Sequence, residues 1–131
     1  MEDLPGGHGL VGPLYSPDGQ YLVAATVNGD KLRLFNFKTR QWSDLLITQV
    51  GTFLWSPDSG FIYFDNGFNT DPWIFRVCIS DGKVEKLVDL KEFCRVVTPW
   101  RSWLGLIPHG DPLLMRDAGT QEIYALELEN P

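Results

Sequence analysis

Residues 65–71, with the sequence DNGFNTD, bring two carboxylates and two amide side chains into one short stretch. Oxygen-rich loops of this kind bind hard cations such as calcium. The spacing departs from the D-x-[DN]-x-[DN]-G calcium loop, because Gly67 and Asn69 stand at the wrong positions and no glutamate follows as the bidentate ligand. The same residue types also tolerate turn geometry. We therefore predict a hairpin loop here and no metal site.

The side chains that could serve nucleophilic catalysis are few and scattered. A nucleophile needs a neighbouring base, yet the two histidines, His8 and His109, lie in a glycine-rich tail and in a predicted turn. The chain has no G-x-S-x-G elbow. Cys78 and Cys94 belong to no C-x-x-C pair, so we expect both to be reduced and buried, with a disulfide as the alternative. The sequence predicts no catalytic residue and no cofactor.

Residues 98–110 (TPWRSWLGLIPHG) are the stretch best suited to bind a partner. Trp100, Arg101 and Trp103 are of residue types that are enriched in binding hot spots, and His109 follows in the same stretch. Tryptophans also fill the space between packed sheets, and packing is the interpretation that we favour for the two tryptophans. A partner-binding rim formed by Trp100, Arg101, Trp103 and His109 is the alternative.

The bulk composition is that of a folded domain. The chain has 131 residues, 44% hydrophobic and 21% charged, which suits one globular domain. Its net charge of -6 would repel a phosphate backbone, so we predict no nucleic-acid partner. The N-terminus lacks the apolar core of an export signal, and no window approaches the length of a membrane span. We predict no membrane contact, and these features assign no cellular compartment.

A repeat of forty residues organises the chain. Residues 14–22 (LYSPDGQYL) return as residues 54–62 (LWSPDSGFI), and residues 105–114 (GLIPHGDPLL) form a weaker third copy. Proline presets φ in a turn, serine and aspartate side chains bind nearby backbone N–H groups, and glycine accepts a positive φ. The repeat therefore predicts tight turns, formed by Ser16, Pro17, Asp18 and Gly19 in the first copy and by Ser56, Pro57 and Asp58 in the second.

Two further turn signals follow each of the first two copies, so a complete copy contains four short strands. The apolar residues alternate, and no long stretch has helical periodicity, which predicts an all-β fold. An offset of forty aligns Phe35 with Phe75 in the third strands. The predicted strands are residues 12–15, 21–26, 31–37 and 42–48, then 52–55, 61–65, 73–79 and 84–90, and finally 103–107, 113–117 and 122–128.

Four-stranded antiparallel units that repeat every forty to fifty residues are typical of a β-propeller. We predict a β-propeller portion with about three blades, of which the last lacks its fourth strand. All blades belong to one domain. Residues 1–11 are expected to be a flexible segment or a strand that closes a blade, and the blades are predicted at residues 12–50, 51–97 and 98–131.

The repeats resemble those of a known family. The copies LYSPDGQYL and LWSPDSGFI, followed by KLRLFNFKTRQW and WIFRVCISDGKVEKL, are similar to the WD-like blades of TolB-like propellers. The closing LLMRDAGTQEIYAL resembles the last blade of propellers at the C-terminal end of bacterial regulatory proteins. The resemblance implies a non-catalytic scaffold that binds a protein or peptide. The alternative is a propeller that gates a prolyl-oligopeptidase-type serine hydrolase.

Three blades are too few to close a propeller. Closed propellers typically have four to eight blades, and each blade buries its large faces only against its neighbours. Several hundred exposed Å² of apolar surface at about 25 cal/mol per Å² would cost many kcal/mol. We therefore expect a homodimer that closes a six-bladed ring, or a chain that is one part of a longer propeller.

Overall fold

The computed structural model describes residues 4–67, 69–93 and 104–114, and the regular structure in these ranges consists of β-strands. No helix in these ranges is long and apolar enough to cross a membrane. The prediction of an all-β fold is confirmed. The strands are β1 (Leu10–Tyr15), β2 (Tyr21–Thr26), β3 (Leu32–Asn36), β4 (Gln41–Leu46), β5 (Phe53–Trp55), β6 (Phe61–Asp65), β7 (Trp73–Cys78), β8 (Val84–Asp89), β9 (Leu104–Leu106) and β10 (Pro112–Leu114).

The strands form two four-stranded antiparallel sheets and one hairpin. The first sheet has the order β1-β2-β3-β4, the second has the order β5-β6-β7-β8, and β9 pairs with β10. We call these units blade 1, blade 2 and the blade 3 hairpin. Four-stranded antiparallel meanders that follow one another in this way are the blades of a β-propeller.

The strand bounds of both complete blades lie within two residues of those predicted. The largest differences are at the start of β1, which begins at Leu10, and at the end of β4, which ends at Leu46. The predicted strand at residues 122–128 and the predicted lack of a fourth strand concern residues outside the described ranges.

The hydrophobic core lies between the two complete blades. Alternate side chains of a strand point to opposite faces, so each central strand sends one set of apolar residues into the space between the sheets. Dispersion and the removal of apolar surface from water hold the two blades together there. The buried members are Val23, Ala25, Leu32, Leu34 and Leu46 from blade 1, Val50 from the linker, and Trp55, Ile62, Phe64 and Val77 from blade 2.

The alignment of Phe35 with Phe75 is wrong by two residues. Phe35 pairs with Leu22 in blade 1, and the residue that pairs with Ile62 at the corresponding place in blade 2 is Val77. The cause is the loop after β6, which is two residues longer than the loop after β2. Because side chains alternate with a period of two, a shift by two keeps the same face buried.

Both blades carry a register shift at the same place, between the third and fourth strands. It falls between Leu32 and Arg33 in blade 1 and between Ile74 and Phe75 in blade 2. Such bulges increase the local twist of a sheet and are conserved features of a strand pair rather than defects. The two blades therefore agree in detail as well as in strand order.

Candidate functional site

The first predicted turn is held by the hydroxyl of Ser16. Its Oγ donates to Oδ1 of Asp18 at 2.6 Å and accepts from the backbone N–H of Tyr21 at 3.0 Å. Oδ1 of Asp18 also accepts from the backbone N–H of Gln20 at 3.0 Å. Gly19 closes the turn with a φ of 73°, a value that glycine adopts without strain. Ser16, Asp18 and Gly19 thus lie in a tight turn between β1 and β2.

The second turn repeats these bonds at the same offsets. Ser56 Oγ donates to Oδ1 of Asp58 at 2.6 Å and accepts from the N–H of Phe61 at 3.0 Å. The difference is at the glycine position, where Ser59 has a φ of 62°. A non-glycine residue pays a conformational cost in this region, so its side chain should have a use that offsets the cost.

Ser59 provides a contact between the blades. Its Oγ, in a residue that is buried, accepts from the backbone N–H of Asp18 at 3.1 Å. Nearby, Nε1 of Trp55 donates to the carbonyl of Leu14 at 3.0 Å, and the Trp55 ring stacks on Tyr21 with centroids 6.4 Å apart. We call these contacts the rim latch, because they join the first turns of neighbouring blades.

Local hydrogen bonds lower the pKa values of the two turn carboxylates. The hydrogen bond from Ser16, followed by that from the backbone of Gln20, holds the pKa of Asp18 below its usual value of 3.8. The bonds from Ser56 and then from the backbone of Gly60 lower the pKa of Asp58 in the same way. Both groups are therefore anionic at neutral pH and serve as acceptors for the turn.

The third turn lacks the serine hydroxyl that forms these side-chain bonds. Ile107 stands where the serines stand in the other copies, and its N–H donates to the carbonyl of Asp111 at 3.0 Å. The turn is one residue shorter, because the corresponding bond in blade 2 reaches from Ser56 to Phe61. His109 lies at its tip and is exposed.

The other members of the predicted partner-binding rim, Trp100, Arg101 and Trp103, lie outside the described residues. The rim stays a prediction, with His109 as its one described member. Cys94 also lies outside the described residues, so its pairing is untested. Cys78 is half-buried, and its Sγ lies 3.1 Å from Oγ of Ser80.

The oxygen-rich loop after β6 is a hairpin connection, as predicted. Its side-chain oxygens bind within the loop: Asp65 Oδ1 accepts from the N–H of Gly67 at 2.8 Å, and Asn66 Oδ1 accepts from the N–H of Trp73 at 2.9 Å. Asp71 Oδ1 accepts from Nε1 of Trp73 at 3.1 Å. Across the described ranges, no three His, Cys, Asp or Glu side chains come together as a metal site would require.

A row of apolar side chains crosses one side of blade 1, which we call its front face. Tyr15 pairs with Leu22, Leu22 with Phe35, and Phe35 with Trp42, so the four side chains share one face. Phe37 extends the row, since its ring stacks on Tyr15 with centroids 5.7 Å apart and meets Phe35 edge-on at 5.0 Å.

The corresponding row of blade 2 faces blade 1. Trp55 pairs with Ile62, Ile62 with Val77, and Val77 with Val84. The first three of these are buried in the core between the two blades. The front face of blade 1 is thus built like the surface with which blade 2 packs against its neighbour, and Tyr15 stands where Trp55 stands.

The front face of blade 1 is partly covered by residues 4–9, which we call the N-terminal strap. Nε1 of Trp42 donates to the carbonyl of Pro5 at 2.8 Å. Where the strap joins β1, the N–H of Val27 donates to the carbonyl of Gly9 at 3.3 Å. A cleft of about 660 Å³ remains between the strap and the sheet. Leu22 is 4% exposed, whereas Tyr15 at the edge of the cleft is 67% exposed.

The sequence analysis did not predict that the strap covers the front face of blade 1. Residues 1–11 were expected to be a flexible segment or a strand that closes a blade, and the final two of them begin β1. The strap has no periodic pattern, and its anchor Trp42 lies far along the chain. The one local signal is the run of glycines, of which Gly6 and Gly9 adopt positive φ values of 82° and 77°.

The chain is similar in structure to parts of several larger proteins. It resembles part of TolB from Acinetobacter baumannii, at 18% identity and a TM-score of 0.51, over 60% of this chain and 21% of that protein. It resembles part of the tricorn protease, at 14% identity and a TM-score of 0.62, over 87% of this chain and 11% of that one. A putative 6-phosphogluconolactonase from Bacteroides uniformis matches at 19% identity and a TM-score of 0.52, over 87% of this chain and 34% of that one.

No protein-family model and no curated protein sequence matches this chain. The identities to the solved structures are low, so they establish the fold and no activity. The chain is a β-propeller portion that spans about a third or less of each of these three proteins.

Proposed function

We propose that this chain is a non-catalytic interaction module, a TolB-like β-propeller portion that binds a protein or peptide. The sensory part of a bacterial regulatory protein is the setting that the sequence resemblance favours. Propellers host many unrelated functions, so the proposal depends on this chain's own surfaces rather than on its fold.

The observation that carries the proposal is the front face of blade 1. It repeats the row with which blade 2 packs on its neighbour, and Tyr15 there is 67% exposed while the equivalent Trp55 is 8% exposed. Tyrosine and tryptophan are enriched at binding hot spots. A surface of this shape and composition is suited to the opposite side of another propeller blade.

The first partner we propose is a second copy of the chain. Two copies that meet head to tail would close a ring, with the front face of each blade 1 covered by the other copy. The alternative is that further blades of a longer polypeptide cover the same face. For a protein or peptide partner of another kind, the second candidate is the predicted rim of Trp100, Arg101, Trp103 and His109.

Light scattering over a concentration series up to the solubility limit tests the assembly. We expect a mass approaching twice 14.8 kDa. Tyr15→Glu should shift the chain to the monomer, because it places a charge in the buried part of the interface. Ile47→Glu is the matched control, since Ile47 is 73% exposed and lies outside the front face. A folded wild-type chain that stays monomeric throughout contradicts the second-copy assembly.

A propeller portion that gates a prolyl-oligopeptidase-type serine hydrolase is the second candidate, and it rests on the same resemblance of the repeats LYSPDGQYL and LWSPDSGFI to propeller blades. The domains that are encoded in the same reading frame as this segment discriminate between the regulatory role and the gating role. An α/β-hydrolase domain with a nucleophile elbow in the same frame supports the gating role. A kinase or winged-helix domain in that frame supports the regulatory role.

A further inference from the structure

The N-terminal strap lies where a neighbouring blade would lie. In blade 2 the row that begins with Trp55 is covered by blade 1, and in blade 1 the equivalent row is crossed by the strap. The strap passes from Trp42 on β4, at one edge of the sheet, to the start of β1 at the other edge. A strap and a blade cannot occupy this space together.

The strap fills this space less well than a blade does. The blade 1 and blade 2 interface leaves Trp55 8% exposed, whereas the strap leaves Tyr15 67% exposed and a cleft of about 660 Å³ beside it. Voids forfeit dispersion contacts, and ordering glycines costs more conformational entropy than ordering other residues. Leu22 and Phe35 at the centre of the row are 4% and 0% exposed, so the deficit lies at the Tyr15 end, where a docked blade would add contacts that the strap does not make.

We propose that the strap is an intramolecular competitor, which covers the front face of blade 1 and is displaced when a second copy docks its blade there. This rests on the assembly proposed above and adds its regulation. The occupant is a second copy because the face continues the interface already present within the chain. The competition sets the concentration at which the copies associate.

Gly6 offers a way to remove the strap without touching the face. It has a φ of 82°, and a Cβ at this position would lie 3.1 Å from Cδ1 of Trp42. Gly6→Val is therefore strained and clashes with the anchor, so the strap should leave the sheet. Gly82→Val is the matched control, because Gly82 has a φ of 72° in a remote turn and nothing within 4 Å of its Cβ position.

Sedimentation equilibrium of the full chain gives the dimer dissociation constant for each variant. Loss of the strap should tighten the dimer about tenfold, the scale of a few lost hydrogen bonds and contacts. Gly82→Val should leave the constant unchanged. Gly6→Ala, a milder clash, should move it in the same direction as Gly6→Val. Far-UV circular dichroism confirms that each variant keeps its strands.

The outcomes separate the strap from the assembly. A wild-type dimer whose constant is unchanged or weakened in Gly6→Val overturns the competition and leaves the assembly standing. Monomers for both wild type and Gly6→Val overturn the assembly and the competition together. Binding of the dye ANS is a second measurement, made at a concentration at which both variants are monomeric: it should rise in Gly6→Val over Gly82→Val, and equal binding overturns the role of the strap as a cover.

Discussion

At the scale of single residues, we expect the serine hydroxyls of the two turns to contribute measurably to the stability of the fold. Ser16 and Ser56 are each 3% exposed, and each hydroxyl both donates and accepts within its turn. We expect Ser16→Ala and Ser56→Ala each to lower the free energy of unfolding by about 1–2 kcal/mol, because a buried N–H then loses its acceptor. Urea denaturation measures this. Ser43→Ala, at an exposed serine on β4, is the control and should change stability by less than about 0.5 kcal/mol.

The turn carboxylates predict how stability depends on pH. The pKa values of Asp18 and Asp58 are lowered in the folded chain, so the unfolded chain binds more protons as the pH falls. Their contribution is present above the usual value of 3.8 and is lost as the pH falls through the lowered values. The double variant with Asp18→Asn and Asp58→Asn should lose melting temperature less steeply below about pH 4 than wild type does. An equal fall of the melting temperature with pH in the double variant and in wild type would argue against this role.

At the scale of the elements, the rim latch joins two blades through a strained residue. Ser59→Ala removes the acceptor of the Asp18 N–H and keeps the positive φ, so it should destabilise the chain by about 1 kcal/mol or more. Ser59→Gly loses the same bond but relieves a left-handed conformation that costs about 1 kcal/mol, so it should end near wild type. Chemical denaturation of both variants decides. Equal losses would show that the backbone at this position carries no strain.

The elements also show which features the sequence could predict. The turns and strands were predictable because proline, glycine and alternating apolar residues act locally, within a few residues of where the chain reverses. The third strand of blade 2 was predicted at its observed position, but its alignment with the third strand of blade 1 was wrong by two residues. The loop from Asn66 lengthens the repeat, and a shift of two leaves the alternating pattern intact.

The candidate site was less accessible to sequence reasoning. Ser59 and Asp18 meet across a gap of 41 residues, and Trp42 meets Pro5 across 37, so neither contact leaves a local pattern. The front face of blade 1 could be predicted to need a cover, because its apolar alternation is plain in the sequence. What covers it depends on the path of a glycine-rich segment that has no periodicity.

At the scale of the whole molecule, the proposed assembly predicts that thermal stability depends on protein concentration. A second copy that binds only the folded chain stabilises it by mass action. The melting temperature of wild type should rise on the order of 3 °C for each tenfold increase in concentration. That of Tyr15→Glu should stay constant. Calorimetry over three concentrations measures this, and a wild-type melting temperature that does not move would rule out the association.

The agreement between the two serine turns is relevant to how the repeat arose. Blade 1 and blade 2 match down to individual bonds, at 2.6 Å and 3.0 Å in both turns, and both place a bulge between their last two strands. Tandem copying of one ancestral gene segment leaves this kind of agreement. The third turn, which is shorter and lacks the serine, departs furthest from this shared pattern.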